Sequence, residues 1–362
     1  MSGKLFFAKD IVRKLSPVAV PPVCTKGLGF GEAFAPHMFE VDSIKEDWGT
    51  PQINQFHNLS LPPQCSGLHY GLQCFEGLKA YRDKKNNIRL FRPEMNLRRL
   101  QNSMNRLVFP RFDEKEMLDC LKELVRIDAD HVPAERGYSL YLRPTAIGTN
   151  HNLRVGPADR CKLFIITSPV GPYYPTGFKP VSLMVDDEHR RAWPGGTGSS
   201  KIGANYAGPI FHQVECAKKG YSQILWLGPG DVVDEVGAMN FMCIWKNKNG
   251  ERELITAPLD GTILPGVTRD SILSLVRSWG EIKVNEQRFT IHDLVDALKR
   301  GDVEEMFGCG TAAIVSPVNG LNFKGTHYDV PCPLETSVTM RLFNTIQDIQ
   351  YGDVEHEWST VI

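Results

Sequence analysis

Pro169-Val-Gly-Pro-Tyr-Tyr-Pro-Thr-Gly177 carries three prolines and two glycines in nine residues. Proline lacks an amide N–H and locks φ, so this run is neither a helix nor a central strand. It reads as a linker at 169–178, between an N-terminal small domain at 1–168 and a larger C-terminal domain at 179–362. A chain of 362 residues fits two domains. Ahead of the linker, Asp113-Glu-Lys-Glu116 opens an acid-capped amphipathic helix with Met117, Leu118, Leu121, Leu124 and Val125 on one face, running to about His131. A second helical pattern runs from Met95 to Leu107, and strand-like runs lie at Ile88 to Phe91, Leu140 to Arg143 and Leu163 to Ser168. Beyond the linker the reading is a strand at Val181 to Val185, a helix from Tyr206 to Lys219 stopped by Gly220, and a strand at Gln223 to Leu227. A hairpin on Lys248-Asn249-Gly250 follows, then helices from about Thr268 to Trp279 and Thr290 to Arg300, a glycine turn at Gly308-Cys-Gly310, and a last helix from about Leu334 to Ile349. The fold class is mixed, α+β or α/β.

Lys+Arg 41 against Asp+Glu 42 gives a formal charge of −1. That balance disfavours nucleic acid as a partner, because such proteins carry a basic excess to displace counterions. No run of about 18 apolar residues is present, which disfavours a membrane span. Residues 1–15 mix four basic side chains with Asp10 and show no secretory cleavage pattern, so the expected location is cytoplasmic, with a mitochondrial presequence as the alternative. Nine cysteines, without a Cys-x-x-Cys pair, suggest neither a disulfide framework nor a zinc set, and no metal is expected.

Four segments carry residues that a fold alone does not require. In Gly195-Gly-Thr-Gly-Ser-Ser-Lys201-Ile-Gly-Ala-Asn-Tyr206 a lone lysine sits among small residues, and its order is wrong for a Walker loop. A flexible turn with a solvated lysine also fits. A lysine acting as an amine starts ~4–5 kcal/mol against the free base at neutral pH, a handicap that burial and neighbouring cations remove. Asp234-Glu235 interrupts an apolar strand context, either as a surface turn or as a carboxylate holding a positive nitrogen, with Glu235 the candidate. Leu264-Pro-Gly-Val-Thr-Arg-Asp-Ser271 runs from a turn into a helix, placing the N–H groups of Val267 and Thr268 at its positive end. Gly308 to Ala313 offers further backbone donors and the Thr311 hydroxyl. Arg99 is either a solvated helix arginine or an anion ligand.

In order, these segments resemble the branched-chain amino acid aminotransferases, pyridoxal phosphate enzymes of fold type IV. The resemblance spans nearly the whole chain: Phe30-Gly31, Leu68-His-Tyr-Gly-Leu-Gln-Cys-Phe-Glu-Gly-Leu-Lys-Ala80, Arg89 to Leu100, Leu140-Tyr-Leu-Arg-Pro144, Lys201 to Tyr206, Asp234 to Asn240, Leu264 to Thr268 and Phe307 to Ala312. It implies a two-domain fold with an N-terminal α/β domain and a C-terminal pseudo-barrel domain that binds pyridoxal 5'-phosphate. It implies that Lys201 is the Schiff-base lysine and that Arg99, Val267, Thr268 and Thr311 hold the phosphate. Tyr206 would contact the ring oxygen and Glu235 the ring nitrogen. Phe30, Phe75, Tyr141, Arg143, Tyr173, Ala238 and Ala312 would line the substrate cavity, with Tyr70, Leu153 and Val155 reaching across a homodimer. The implied reaction is reversible transamination of leucine, isoleucine and valine with 2-oxoglutarate. Within the cavity, Arg143 with Tyr70 is the expected partner for a distal carboxylate.

Two departures stand out. Some animal members carry Cys-x-x-Cys where this chain has Ala313-Ile-Val-Ser316, so no inactivation through a local disulfide is expected, and any residual oxidation sensitivity is expected at another thiol such as Cys309. Position 238 is Ala where relatives place Thr. A D-amino acid aminotransferase or an aminodeoxychorismate lyase would share the fold but not the full motif set. A non-catalytic pyridoxal phosphate carrier would need the anion sites but no reactive lysine.

Overall fold

The computed structural model describes residues 3–22, 24, 27, 29–172 and 179–362. The chain divides into two compact units, one comprising Met1–Pro175, Ser200–Ala204 and Asp348–Ile362, the other Thr176–Ser199 and Asn205–Gln347. Two stretches beyond the linker thus group with the first unit, and backbone pairing explains both. Cys74 bridges Ile202, and Phe75 N donates to Lys201 O at 3.0 Å. At the other end, Ser359–Val361 pairs antiparallel with Ile88–Phe91.

The first unit holds a ten-stranded sheet. Its main path runs Val12–Lys14, Gln52–Gln55, His37–Ile44, Arg160–Val170, Ser139–Gly148, Leu78–Arg82, Ile88–Phe91, Ser359–Val361. Arg160–Val170 alternates partly buried and buried positions over its first seven residues, the period-two pattern of a strand with one face on the core. The helices Pro93–Arg106 and Glu114–Ile127 join that core through Leu97, Leu100, Leu121 and Leu124, all fully buried. Asp113 caps the second helix, its carboxylate accepting from the Lys115 and Glu116 amides at 2.9 and 3.0 Å. Such a cap is worth ~1 kcal/mol.

The second unit holds a nine-stranded sheet running Val233–Val236, Gln223–Leu227, Val181–Asp186, Ile314–Phe323, Val303–Gly310, Met239–Lys246, Arg252–Thr256, Lys283–Glu286. Val233–Val236 also pairs with Met239–Lys246, so six of these strands close into a ring. Closure is what makes this sheet barrel-like, and it leaves those strands without an open edge. Ile291–Arg300 packs on this unit's core through Ile291, Leu294 and Val295, and Thr290 with Asp293 forms a reciprocal capping box at its start.

Four expected elements differ. The linker read from Pro169 starts too early, because Pro169 and Val170 end the strand Arg160–Val170, paired with Leu140 and Ser139. The last helix, read from Leu334, is Val338–Gln350, preceded by a short 3-10 turn at Leu334–Thr336. The helix read from Tyr206 to Lys219 is two helices, Ala204–Ala207 and Ile210–Lys218, because Pro209 cannot continue the first and serves as the N-cap of the second. Gly308-Cys-Gly310 is not a turn but the end of the strand Val303–Gly310, paired on both sides. The glycine is needed for close approach, since a Cβ at Gly308 would stand 2.8 Å from Val236 and 2.9 Å from Met239. The turn follows at 311–313. Among the described residues no helix is long and apolar enough to cross a membrane.

Candidate active site

The site residues expected from sequence fall into two clusters, one in each unit. In the first unit, Lys201 is fixed by its backbone: its N–H donates to Ser103 Oγ at 2.8 Å and its carbonyl accepts from Phe75. Its Nζ stands 4.9 Å from the centre of the Phe75 ring. Burial, and then the Arg99 charge, lower the Lys201 amine from 10.5 to about 8, with Glu76 pulling the other way. At pH 7 that shift raises the free-amine fraction ~300-fold over an ordinary lysine.

Arg99 is not solvated. Its side chain is buried, and its Nε and Nη2 bind the Glu76 carboxylate at 2.6 and 2.9 Å in a two-point pair. Asn96 Nδ2 donates to the same carboxylate at 2.9 Å and to Gly77 O at 3.2 Å. Glu76, fully buried, is held below the usual carboxylate range by these partners and by Lys201, against a burial effect that pushes it up. Sequence reasoning gave no role to Glu76, Asn96 or Ser103, although a signal was present. Asn96, Arg99 and Ser103 recur at helical spacing and all three are buried, so one polar stripe points inward from Pro93–Arg106.

The aromatic residues gather nearby in the same unit. Arg143 lies over Phe75, 4.6 Å from the ring centre, and its Nη2 donates to the Tyr141 hydroxyl at 2.9 Å. Phe30 meets Tyr141 edge-on at 4.8 Å. Gly77 leaves room for Tyr141, since a Cβ there would stand 2.0 Å from its hydroxyl. Within one chain, then, the hydroxyl on Arg143 belongs to Tyr141, whereas Tyr70 donates to Leu153 O at 2.7 Å. Tyr70, Leu153 and Val155 are exposed. Tyr173 lies outside the described residues.

In the second unit, Glu235 and Asp234 are both buried on the strand Val233–Val236, which is no surface turn. As consecutive strand residues they face opposite ways. Burial and the neighbouring Glu235 charge raise Asp234 to about 6. Glu235 has the better-furnished carboxylate: Oε1 accepts from Asn240 Nδ2 at 2.9 Å and from the Leu264 amide at 3.0 Å, while Oε2 pairs with Arg191 at 3.0 Å. Asn240 also donates to Leu264 O at 2.8 Å, and a Cβ on Gly266 would stand 2.1 Å from Asn240 Oδ1. That close approach seats the start of the helix Val267–Trp279 beside Glu235. The pairings Glu235↔Asn240 and Asn240↔Cys309 carry the row across to the strand that ends at Gly310, just before Thr311 and Ala312. Ala238 is exposed at the tip of the hairpin.

This edge suits a phosphate and a protonated ring nitrogen. The Gly266 N-cap supplies no side-chain cap, and neither the Val267 nor the Thr268 N–H donates a hydrogen bond among the described residues. Two such donors at the positive end of a helix are an anion seat. Tyr206 belongs to the short helix Ala204–Ala207, whose Asn205 is tied to Thr197 by two hydrogen bonds. Arg191, which sequence reasoning did not single out, bonds Thr262 O as well as Glu235, and its Nε is buried without a partner among the described residues. Cys309 is buried, and burial pushes its thiol up to about 12, so it is a poor nucleophile and a poor seat for any residual oxidation sensitivity.

The Glu76 carboxylate gives the first prediction. Glu76→Gln strands a buried guanidinium and is expected to cost ~3–5 kcal/mol of stability in chemical denaturation. It also removes the anion that raises the Lys201 pKa, so the pH dependence of cofactor attachment to the apoprotein moves below about 8. An unchanged profile would show that Glu76 acts on Arg99 alone.

Residues 73–321 match the amino-transferase class IV family. The chain is 52% identical over 340 residues to the branched-chain-amino-acid aminotransferase of Dictyostelium discoideum, covering 92% of this chain and 90% of that protein. It is 45% identical over 362 residues to the cytosolic form of Mus musculus, covering 99% and 94%. The mitochondrial form of Schizosaccharomyces pombe is 48% identical over 346 residues, covering 92% and 80%. Among solved structures, the branched-chain aminotransferase of Thermobaculum terrenum in its PLP form superposes with a TM-score of 0.73 at 21% identity, covering 90% of this chain and 98% of that one. The T.th. enzyme complexed with N-(5'-phosphopyridoxyl)-L-glutamate gives 0.71 at 22% identity, with the same coverage. The chain therefore belongs to the class IV aminotransferases of fold type IV and, within them, to the branched-chain-amino-acid aminotransferases.

Proposed function

We propose that the chain moves amino groups reversibly between leucine, isoleucine or valine and 2-oxoglutarate, using pyridoxal 5'-phosphate. The observation that carries this reading is the Lys201 amine, lowered to about 8 and fixed at its backbone by Ser103 and Phe75. When bound, pyridoxal 5'-phosphate supplies an aldehyde for an amine to engage and a protonated ring into which a carbanion's electron pair can spread. Lys201 would be the amine that holds that aldehyde in the resting enzyme, and its freed Nζ would take the substrate's α-proton as general base and, as general acid, deliver it to the cofactor's aldehyde carbon rather than back to the α-carbon. Arg99, the Val267 and Thr268 amides and the Thr311 hydroxyl would hold the phosphate, Tyr206 would contact the ring oxygen, and Glu235 would hold the ring N–H⁺. The proposed assembly is a homodimer in which the exposed Tyr70, Leu153 and Val155 reach the partner's site.

Two kinds of side chain must share one cavity. Phe30, Phe75 and Tyr141 supply apolar surface, with Ala238 and Ala312 the small residues proposed to complete it. Burying a leucine side chain against such a surface is worth ~1.5–3 kcal/mol. A distal carboxylate needs a cation instead, and Arg143, braced by Tyr141, is the one we assign. The relative complexed with N-(5'-phosphopyridoxyl)-L-glutamate supports glutamate as the second donor. Arg143→Gln is expected to raise KM for glutamate and 2-oxoglutarate at least ~10-fold while sparing the leucine half-reaction, because leucine has no distal charge. Stopped-flow half-reactions with each donor measure this. Equal losses on both would assign Arg143 to the fold or to the α-carboxylate. The reading as a whole is tested by adding L-leucine to the purified protein, which should consume the absorbance of lysine-bound cofactor; no spectral change would overturn it.

A further inference from the structure

At the end of the strand Val181–Asp186 the chain turns through Asp187 and Glu188 to His189, and the first turn of the helix Ile210–Lys218 carries His212. Asp186, His189 and His212 each offer one donor atom, and the three atoms lie within 4.8 Å of one another. Asp186 Oδ1 is 3.2 Å from His189 Nδ1, and Asp186 Oδ2 is 3.9 Å from His212 Nδ1. The two imidazole rings overlap, with centres 3.9 Å apart and planes 35° apart. Donors bound to one zinc-sized ion at ~2.0–2.2 Å stand ~3–3.5 Å from each other. The two distances run to different carboxylate oxygens, so an ion between the rings would be held by Asp186 through both Oδ1 and Oδ2, and the His212 contact closes with about half an ångström of side-chain movement.

The carboxylate is prepared for this. Asp186 is buried, and its Oδ1 accepts from the Glu188 and His189 amides at 3.1 and 2.8 Å, which fixes the group and aims Oδ2 at His212. The His212 ring is flanked edge-on by Phe211 at 5.4 Å and by Trp226 at 6.3 Å, so packing limits its rotation. His189 is half exposed, which leaves the outer side open to water. One buried carboxylate thus faces two overlapping rings, each turned toward it by a ring nitrogen. A divalent cation satisfies all three at once.

We propose that Asp186, His189 and His212 form a binding site for a zinc-class divalent ion, with water as the fourth ligand. Two imidazole nitrogens and a carboxylate oxygen suit Zn²⁺, Co²⁺ or Ni²⁺ and discriminate against Mg²⁺ and Ca²⁺, which favour all-oxygen shells. None of the three residues has a part in amino transfer. The ion acts as a clip between the end of a barrel strand and the helix Ile210–Lys218, and it holds the segment leading to Arg191, the partner of Glu235. Cysteine spacing conceals the site, because its ligands are an Asp-x-x-His turn and a histidine 23 residues further on.

The test is equilibrium dialysis of tag-free holoenzyme against Zn²⁺ alone, read by elemental analysis, with Co²⁺ as a spectroscopic substitute. Wild type should take up about one ion per chain, and Co²⁺ should give the visible bands of a four-coordinate ion. His189→Ala and His212→Ala should each weaken uptake ~10–100-fold, with excess Mg²⁺ failing to compete. His212→Gln, with a melting curve matched to wild type, separates a lost ligand from a lost fold. Equal uptake by wild type and His212→Gln would overturn the proposal by placing the ion elsewhere, for instance on the exposed Cys24. No uptake at micromolar Zn²⁺ would overturn it outright.

Discussion

Lys201→Ala is expected to abolish amino transfer, by at least ~1,000-fold in the single-turnover rate, in a protein that remains folded. The fold survives because Lys201 supports it through backbone atoms, its N–H on Ser103 and its carbonyl on Phe75, and alanine keeps both. The sign of the stability effect follows from the pKa. An amine lowered from 10.5 to about 8 binds its proton less well in the folded state than in the unfolded one. It therefore costs stability below pH 10.5, increasingly so down to about 8 and steadily below that. Removing it leaves the melting temperature equal or higher at pH 7. Borohydride treatment followed by peptide mapping should find cofactor on residue 201 in wild type and nowhere in the variant. Appreciable turnover by the variant would overturn the assignment of Lys201.

Glu235→Gln is expected to slow the leucine half-reaction ~100–1,000-fold, because a neutral amide cannot hold a positive ring nitrogen. The surroundings sharpen the effect. Oε1 already accepts from Asn240 and Leu264, so the new amide nitrogen is left to face Arg191, donor against donor. A buried arginine then loses its counter-charge, and stability should fall by ~3–5 kcal/mol. The double variant Glu235→Gln/Arg191→Gln restores a neutral pair and should recover much of the stability but none of the rate. Recovery of both would make the acid structural.

The parts of the fold legible in sequence were those whose signals are local. The helix Glu114–Ile127 announced itself because Asp113 caps it through residues two and three positions on. The break at Gly208-Pro209 is equally local, and reading one helix from Tyr206 to the Gly220 stop passes over it. Gly308 and Gly310 misled for a physical reason: glycine marks close approach as well as turns, and here the neighbours are Val236 and Met239, whose approach exists only once the sheet has formed. At the site, Lys201 and Glu235 stood out through odd placement within small or apolar runs. Glu76 did not, because a carboxylate in the short connection between the strands Gln73–Phe75 and Leu78–Arg82 looks solvated until Arg99, 23 residues later, folds onto it. Arg191 shows the same limit, since its partner Glu235 is distant in sequence.

The helix Pro93–Arg106 does two things to one lysine. Ser103 fixes where the Lys201 backbone lies, and Arg99, four residues earlier on the same rod, helps to set how readily its amine gives up a proton. Position and acidity are thus geared together rather than adjustable one at a time. A core change under that rod, at Leu100 or Met104, both fully buried, would shift the two in a single stroke. Evolution in this chain therefore has a steering point in the core: a methylene added or removed beneath the helix retunes the proton affinity and the placement of the amine as one variable.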